Sequence, residues 1–127
     1  MNLHFGVAYT TIHRRRAGVD CKHRAPHDAP RATVLSVRVL GSDNRGKGLA
    51  FATGLQWAIE RGASIVNLSL SSRSESLYGT LHDLVDRAYF ANVLLVCAAN
   101  NVAVASYPSL FASVVSVAAH DVRDPDV

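Results

Sequence analysis

The sequence predicts an α/β domain built on a parallel β-sheet. Short runs rich in β-branched and aliphatic residues, such as TVLSVRVL at positions 33–40, lack polar alternation and are typical of strands buried on both faces. Segments that repeat apolar residues at helical spacing lie between these runs. The resulting order is β-α-β-α-β-loop-β, which favours parallel strands joined by right-handed crossovers.

Charge and composition divide the chain in two. It has 127 residues, 49% of them hydrophobic, which is enough for one modest core. The formal charge is +3, and residues 1–31 hold six Lys or Arg against two Asp, so the positive excess lies near the start. Arg14–Arg16 and Pro26 interrupt any apolar period there. We therefore expect a basic, irregular arm over residues 1–28 and a partial α/β domain over residues 29–127.

The arm carries no motif that identifies a ligand. It has neither interleaved aromatic residues nor a recognition helix, so nucleic-acid binding is not expected. Cys21 could join His13, His23 and His27, but their spacing matches no common zinc site, and we expect no metal or other cofactor. No apolar run is long enough to cross a bilayer and no secretory signal is visible, so no membrane partner is expected and the cellular location is left open.

The first helix and the strand after it are predicted at positions 49–70. Apolar residues recur at helical spacing in LAFATGLQWAIERG, and Gly62 stands where a left-handed residue commonly ends a helix. SIVNLSL, residues 64–70, then has the apolar and β-branched content of a strand.

A second helix and two further strands complete the pattern. Ser72 with Glu75 fits a capping box, although Ser76 could equally be the cap. Asn92 follows the helix as a residue that tolerates the left-handed conformation. VLLVCAA (93–99) and SVVSVAA (113–119) are the remaining strands. The apolar face of the helix consists of Leu77, Leu81, Leu84, Val85 and Ala88.

Polar side chains follow the strands at the carboxyl edge of the predicted sheet, where ligands of parallel sheets bind. Ser69–Ser72 follow the second strand, and Asn100 and Asn101 follow the third. A side-chain amide at this edge can donate to negative charge that develops on a carbonyl oxygen. Alternatively, both asparagines are turn residues, because Asn bonds to its own backbone and tolerates positive φ. The pattern alone leaves both interpretations open.

Four blocks between residues 29 and 121 resemble the middle of the subtilases, the subtilisin-like serine peptidases, in order and separation. They are APRATVLSVRVLGSDNRGKG, GLQWAIERGASIVNLSLSS, VDRAYFANVLLVCAANN and YPSLFASVVSVAAHD. The resemblance implies a subtilisin-like fold, a three-layer parallel sheet with flanking helices, which is incomplete here. It also implies proteolysis of a peptide or protein substrate strand without a cofactor.

The resemblance also assigns site residues by position. Asn101 matches the asparagine whose side-chain amide donates to the oxyanion, and subtilisin is the usual example of this donor. Tyr107-Pro108 matches a loop whose peptide bond is often cis. Substrate binding is implied for two segments that wall the primary specificity pocket, and for an edge that pairs with the substrate strand. The pocket residues are Ser69, Leu70, Ser71, Ala98, Ala99 and Asn100, and the edge residues are Asn44, Arg45 and Gly46.

The sequence also departs from the family pattern. Subtilases use an Asp-His-Ser triad, yet the motifs Asp-Ser/Thr-Gly, His-Gly-Thr-His and Gly-Thr-Ser do not occur in these 127 residues. His82, or His120 with Asp121, is not expected to replace the missing histidine. Ser71–Ser72 and Asn100 stand where the family mostly has glycine, so their side chains would narrow the pocket or be strained at positive φ.

We therefore expect a partial peptidase domain that keeps the substrate cleft and the oxyanion asparagine, lacks the triad and is inactive alone. The alternative is a non-catalytic module that binds peptides or is completed by a partner, because an incomplete sheet exposes edges that invite aggregation or pairing. A nucleotide-binding domain is disfavoured, since GSDNRGKG has neither dinucleotide-binding nor P-loop spacing.

Overall fold

Five strands and two α-helices form the part of the protein that the computed structural model describes, namely residues 8–12, 33–41, 46–102 and 104–119. A single 3-10 turn precedes the second helix. The strands are β1 (Ala8–Ile12), β2 (Thr33–Val37), β3 (Ile65–Leu68), β4 (Leu94–Ala98) and β5 (Val114–Val117), the 3-10 turn is Glu75–Leu77, and the helices are α1 (Gly48–Glu60) and α2 (Tyr78–Phe90).

The sheet has the strand order β2-β1-β3-β4-β5. β3 pairs with β4, and β4 with β5, in parallel, with Val66 beside Leu95 and Leu68 beside Cys97. β1 is antiparallel to both β2 and β3, so β2 runs in the same direction as β3. Four of the five described strands are therefore parallel, as the sequence predicted.

β1 corrects the prediction that residues 1–28 form an irregular arm. Ala8–Ile12 is a strand between β2 and β3, paired over five residues with β2 and over two with β3. Its sequence, AYTTI, ends in three β-branched residues, and both neighbours supply backbone partners to this strand. The proposed boundary at residue 28 lies outside the described residues.

Both helices end where the sequence predicted. Gly62 has φ +71° and Asn92 has φ +55°. The Gly62 N–H donates to the Ile59 carbonyl at 3.0 Å and the Ala63 N–H to the Ala58 carbonyl at 3.2 Å, which are the two bonds of a Schellman motif. The same pair of bonds closes α2 around Asn92. Each left-handed residue thus satisfies carbonyl groups that the helix leaves over.

The start of α2 differs from the prediction. α2 begins at Tyr78, with Leu77 as its N-cap and no side-chain cap, so neither the capping box nor Ser76 is used. Instead, the Ser72 hydroxyl accepts the Ser74 N–H at 3.1 Å. The 3-10 turn takes over the role of a cap, because it continues directly into the helix.

One face of the sheet is covered by both helices, and we call it the covered face. Its core positions on β3 and β4 are Val66, Leu68, Leu95 and Cys97, all at most 2% exposed. Gly54 allows α1 to lie close to β2, because a Cβ there would clash with the Val39 side chain. The helix residues that fill this core are Phe51, Ala52, Leu55, Ala58, Leu81, Leu84, Val85 and Ala88.

The opposite face, which we call the open face, is apolar and uncovered among the described residues. Ile65, Leu94, Val115 and Val117 are 39%, 46%, 48% and 54% exposed. The α/β subtilisin-like class and its incompleteness are confirmed: a sheet and one helical layer are present among the described residues, out of the three layers expected. No helix in these described ranges has the length and apolarity to cross a membrane.

Candidate functional site

The candidate site lies at the carboxyl edge shared by β2, β3 and β4. Because these strands are parallel, the residues after each strand meet at one edge of the sheet. A cleft of about 640 Å³ opens there between the start of α1 and the segment that joins β3 to α2. Its lining residues are Leu40, Gly46, Lys47, Gly48, Leu49, Phe51, Ser69, Leu70, Ser71, Ser72, Ser74, Ser76 and Leu77.

The cleft brings together two of the predicted substrate-binding segments. Gly46 lies on one wall, and Ser69–Ser71 form part of the other. A Cβ at Gly46 would lie 2.5 Å from the Val39 carbonyl oxygen, so only glycine fits this close approach of two backbones. Asn44 and Arg45 lie outside the described residues. Lys47, Ser74 and Ser76 also line the cleft; sequence reasoning missed them because neither the resemblance nor a local pattern assigned them to the binding site.

The serines of the cleft are connected by short-range hydrogen bonds. The Asn67 amide donates to the Ser69 hydroxyl at 3.2 Å, and the Ser72 hydroxyl accepts the Ser74 N–H at 3.1 Å. The Ser74 and Ser76 hydroxyls are 2.8 Å apart. Ser69 and Ser72 thus use an acceptor lone pair internally, and each keeps an O–H proton that it can donate elsewhere.

The wall that follows β3 is fixed by bonds to two other segments. The buried Cys97 thiol donates to the Leu70 carbonyl at 3.3 Å. Burial raises the pKa of Cys97 from 9.0 to about 12, so the thiol stays protonated and remains a donor at neutral pH. Ser72 and Tyr107 exchange two backbone bonds of 2.8 and 2.7 Å. These contacts hold Leu70–Ser72 in place beside the cleft.

The two asparagines after β4 have different surroundings. Asn100 is half-buried, and its side-chain oxygen accepts the Val102 N–H at 3.2 Å, which is a turn bond. The turn interpretation therefore applies to Asn100. Asn101 is exposed, and its side chain makes no hydrogen bond to the described part of the chain. Ala98, Ala99, Asn100 and Asn101 do not line the 640 Å³ cleft; Ala98 ends β4 and the other three follow it, while the Ser69 segment follows the neighbouring strand β3.

The substitutions for glycine do not strain the backbone. Among the described non-glycine residues only Asn92 has a positive φ, so Ser71, Ser72 and Asn100 lie in ordinary regions of φ/ψ space. Ser71 and Ser72 instead place hydroxymethyl groups in the cleft wall. The sequence predicted that these side chains either narrow the pocket or are strained at positive φ, and the prediction of strain is wrong.

His82 lies away from the cleft, on α2. Its side chain is 47% exposed, with Nδ1 3.5 Å from an Asp86 carboxylate oxygen. It belongs to an aromatic cluster with Tyr78, Tyr107 and Phe111, and its ring centroid is 5.2 Å from that of Phe111. Within the described residues it forms no hydrogen bond with a serine, and no group of three metal-ligating side chains occurs there. His120 and Asp121 lie outside those residues.

The Tyr107-Pro108 peptide bond is cis. Pro108 is buried, and the hydroxyls of Ser106 and Ser109 lie 2.8 Å apart beneath the turn. The Ser109 hydroxyl also lies 2.8 Å from the Ser106 carbonyl. The loop thereby satisfies its buried polar groups and keeps Tyr107 in contact with Ser72 of the cleft wall.

Comparison with known proteins agrees with this geometry. The sequence matches the Subtilase family over residues 9–125. The chain belongs to the subtilase family. The match begins inside β1, so the family similarity extends further toward the start than the sequence blocks between residues 29 and 121 indicated.

Several subtilases are similar over the same length of chain. Subtilisin BL from Lederbergia lenta is 41% identical over 95 residues, which are 73% of this chain and 35% of that protein. Subtilisin Savinase from Lederbergia lenta is 39% identical over 95 residues, 73% of this chain and 35% of that protein. Alkaline protease from Alkalihalobacillus alcalophilus is 39% identical over 95 residues, 73% of this chain and 24% of that protein. The chain thus spans about a third or less of these relatives and corresponds to part of a subtilisin-like peptidase domain.

Proposed function

We propose that this subtilase chain is the substrate-binding part of a serine peptidase domain, with Asn101 as the oxyanion donor and without the groups that attack the peptide bond. The observation that carries the proposal is the exposed Asn101 amide in the turn after β4, the strand that pairs in parallel with β3 and so ends at the same edge as the segment that lines the cleft. A preorganised amide at that edge can donate to the negative charge that develops on a substrate carbonyl.

Substrate binding is proposed for both walls of the site. Gly46, together with Asn44 and Arg45, pairs with an extended peptide through backbone hydrogen bonds, the strand-addition mode of recognition. Ser69, Leu70 and Ser71 bind it from the other side of the 640 Å³ cleft. The segment Ala98–Asn100 completes the pocket next to the scissile bond. The Asn100 turn bond supports this role, because it orients the backbone that precedes Asn101.

Peptide-bond hydrolysis by this fold needs three further groups. A serine attacks the carbonyl, a histidine accepts its proton, and an aspartate holds the histidine. The three motifs that carry them do not occur in these 127 residues. The hydroxyls of Ser69, Ser71 and Ser72 have no histidine beside them among the described residues, so they remain weak nucleophiles. The chain alone is therefore inactive as a peptidase.

A binding and cleavage assay tests the proposal. The purified chain should bind extended peptides, measured by fluorescence anisotropy, yet leave a panel of fluorogenic peptides uncleaved over hours. Cleavage above the buffer rate that Asn101→Ala removes would show that the chemistry is intact. Absence of peptide binding at millimolar concentration would contradict the substrate-binding role.

The second candidate is a non-catalytic module that is completed by a partner polypeptide. It is favoured by the open face, where Leu94, Val115 and Val117 are about half exposed. β5 is also an edge of the described sheet, and its sequence, VVSV, has no charge or proline that would discourage pairing. A partner that adds a strand to β5 and packs apolar side chains on the open face would complete the domain.

Solution behaviour tests whether the chain needs a partner. A chain that folds without one gives a monomeric elution volume and a well-dispersed NMR spectrum. A chain that needs completion aggregates alone, and Val117→Lys on the open face reduces the aggregation because it interrupts the apolar surface. A monodisperse, well-folded chain whose solubility does not change in Val117→Lys would count against the partner.

A further inference from the structure

The cleft at the carboxyl edge is lined by both apolar side chains and hydrogen-bond donors. The apolar lining consists of aliphatic and aromatic side chains, among which Phe51 is only 5% exposed. The polar lining contains five serines and one lysine, and among the described residues no carboxylate lines the cleft. The apolar residues are Leu40, Leu49, Phe51, Leu70 and Leu77, and the polar residues are Lys47, Ser69, Ser71, Ser72, Ser74 and Ser76.

The hydrogen bonds of the polar lining leave it rich in donors. Ser69 accepts from the Asn67 amide, and Ser72 accepts from the Ser74 N–H, so neither bond uses the hydroxyl proton, and no acceptor for it occurs among the described residues. The Lys47 ammonium can only donate. A ligand group that enters the cleft therefore meets donors from two directions, and it needs acceptor oxygens to satisfy them.

The charges next to the cleft do not oppose an anion. Lys47 is the charged residue that lines it among the described residues. Arg73 and Glu75 are exposed on the flanking segment, outside the lining, and their opposite charges offset one another. Among the described residues, Lys47 is therefore the charge that an anionic group in the cleft would meet.

On the basis of the substrate-binding role proposed above, we infer that this cleft selects a glutamate side chain of the bound peptide. The methylene groups of glutamate contact Leu70 and Leu77, and its carboxylate accepts from Lys47 and from the serine hydroxyls. Lys47 is then the residue that determines this preference. Because Lys47 is exposed, its contribution is that of a solvent-screened ion pair, and a preference of about three- to fivefold is expected.

Binding of matched peptides to the full chain tests the inference. The probes are fluorescein-labelled octapeptides of alanine and serine in which a single Glu, Gln, Leu or Lys is moved along the sequence. At one position, the Glu peptide should bind about three- to fivefold more tightly than the Gln peptide at low salt, and the difference should shrink in 0.5 M NaCl because screening weakens an exposed pair.

Three variants separate a specific role of Lys47 from an effect of net charge. Lys47→Met keeps most of the apolar stem and should abolish the preference for Glu over Gln, whereas Lys47→Glu should reverse it in favour of the Lys peptide. Arg61→Met removes the same charge at the other end of α1, where Arg61 lies 5.1 Å from the Trp57 ring, and should leave the preference unchanged. Circular dichroism of each variant establishes that the fold is retained.

The outcomes distinguish this inference from the proposed function. Peptides that bind with equal affinity whether they carry Glu or Gln, or a Glu preference that survives in Lys47→Met, would overturn the inference and leave the cleft as a peptide site. The tightest binding by the Leu peptide would show an apolar pocket and overturn it as well. If no probe binds, both the inference and the substrate-binding role fail.

Discussion

The two faces of the sheet offer opposite environments to adjacent residues of the same strand. On β4, Leu95 is 1% exposed beneath the helices, whereas Leu94 is 46% exposed on the open face. Both are leucines, and they belong to one run of apolar residues that lacks polar alternation. Such a run shows that a strand is suited to burial on both faces, but the burial itself depends on what the rest of the structure provides.

The largest expected effect comes from truncating each of these leucines in turn. Leu95→Ala should lower the free energy of unfolding by about 2–5 kcal/mol, because it removes buried methyl groups and leaves a cavity. Leu94→Ala should change it by about 0.5 kcal/mol or less, as for an exposed position. Urea denaturation of both variants measures the two values. Equal losses would mean that the open face is covered in solution.

A smaller effect is expected from a matched pair of glycines in the two helices. A Cβ at Gly54 meets the Val39 side chain and lies 3.2 Å from Val37 Cγ1, so Gly54→Ala should destabilise the protein by about 1–3 kcal/mol. At Gly79 a Cβ has no neighbour within 4 Å, so Gly79→Ala should stabilise α2 by about 0.5–1 kcal/mol. Thermal unfolding compares the two. Stabilisation by Gly54→Ala would contradict the close packing of α1 on β2.

An effect that appears only at alkaline pH concerns the stability of the fold and the Cys97 thiol of the covered face. Its pKa is about 12 in the folded protein and 9.0 ordinarily, so above pH 9 the unfolded chain loses a proton that the folded chain retains. The contribution of Cys97 to the free energy of unfolding is therefore fully present below pH 9. Above pH 9 the free energy of unfolding falls by up to about 1.4 kcal/mol per pH unit. Cys97→Ala should remove this part of the pH dependence, measured by urea denaturation between pH 8 and 10.5.

Thiol reactivity provides the control on the open face. In a Cys21→Ser background, native Cys97 should react slowly with a thiol reagent at pH 8 and quickly in denaturant. The comparison variant carries Cys97→Ala and Ala98→Cys, which moves the thiol to the half-buried position 98 on the open face. This thiol should react faster than native Cys97 in the folded protein. If the two thiols react at similar rates, the two faces are not as different as the structure has them.

The features of the fold that depend only on residues close together in the chain can be predicted from the sequence. The apolar period of Leu81, Leu84 and Val85 predicts the buried side of α2, and Gly62 and Asn92 predict both helix ends, because a left-handed residue is a local requirement. The carboxyl edge that gathers Gly46 and the serines is likewise implied by the alternation of strands and helices.

Other features depend on contacts between distant parts of the chain. AYTTI forms β1 because it pairs with both β2 and β3, and β3 lies more than fifty residues further along the chain. Asn100 and Asn101 are adjacent and have the same side chain. The hydrogen bond from the Val102 N–H to the Asn100 side-chain oxygen makes Asn100 a turn residue, whereas the Asn101 amide is exposed. Lys47, Ser74 and Ser76 become cleft residues only because α1 and the segment before α2 are brought together.

The sequence by itself determined the α/β class, the positions of the helices, the family and the serine- and asparagine-rich edge, because each is encoded in spacing over a few residues or in motifs. The tertiary structure decided which sheet face is buried, where residues 8–12 pair and which side chains share the cleft. Those outcomes are set by packing and backbone pairing between segments that are far apart in the chain, and local periodicity carries no information about them.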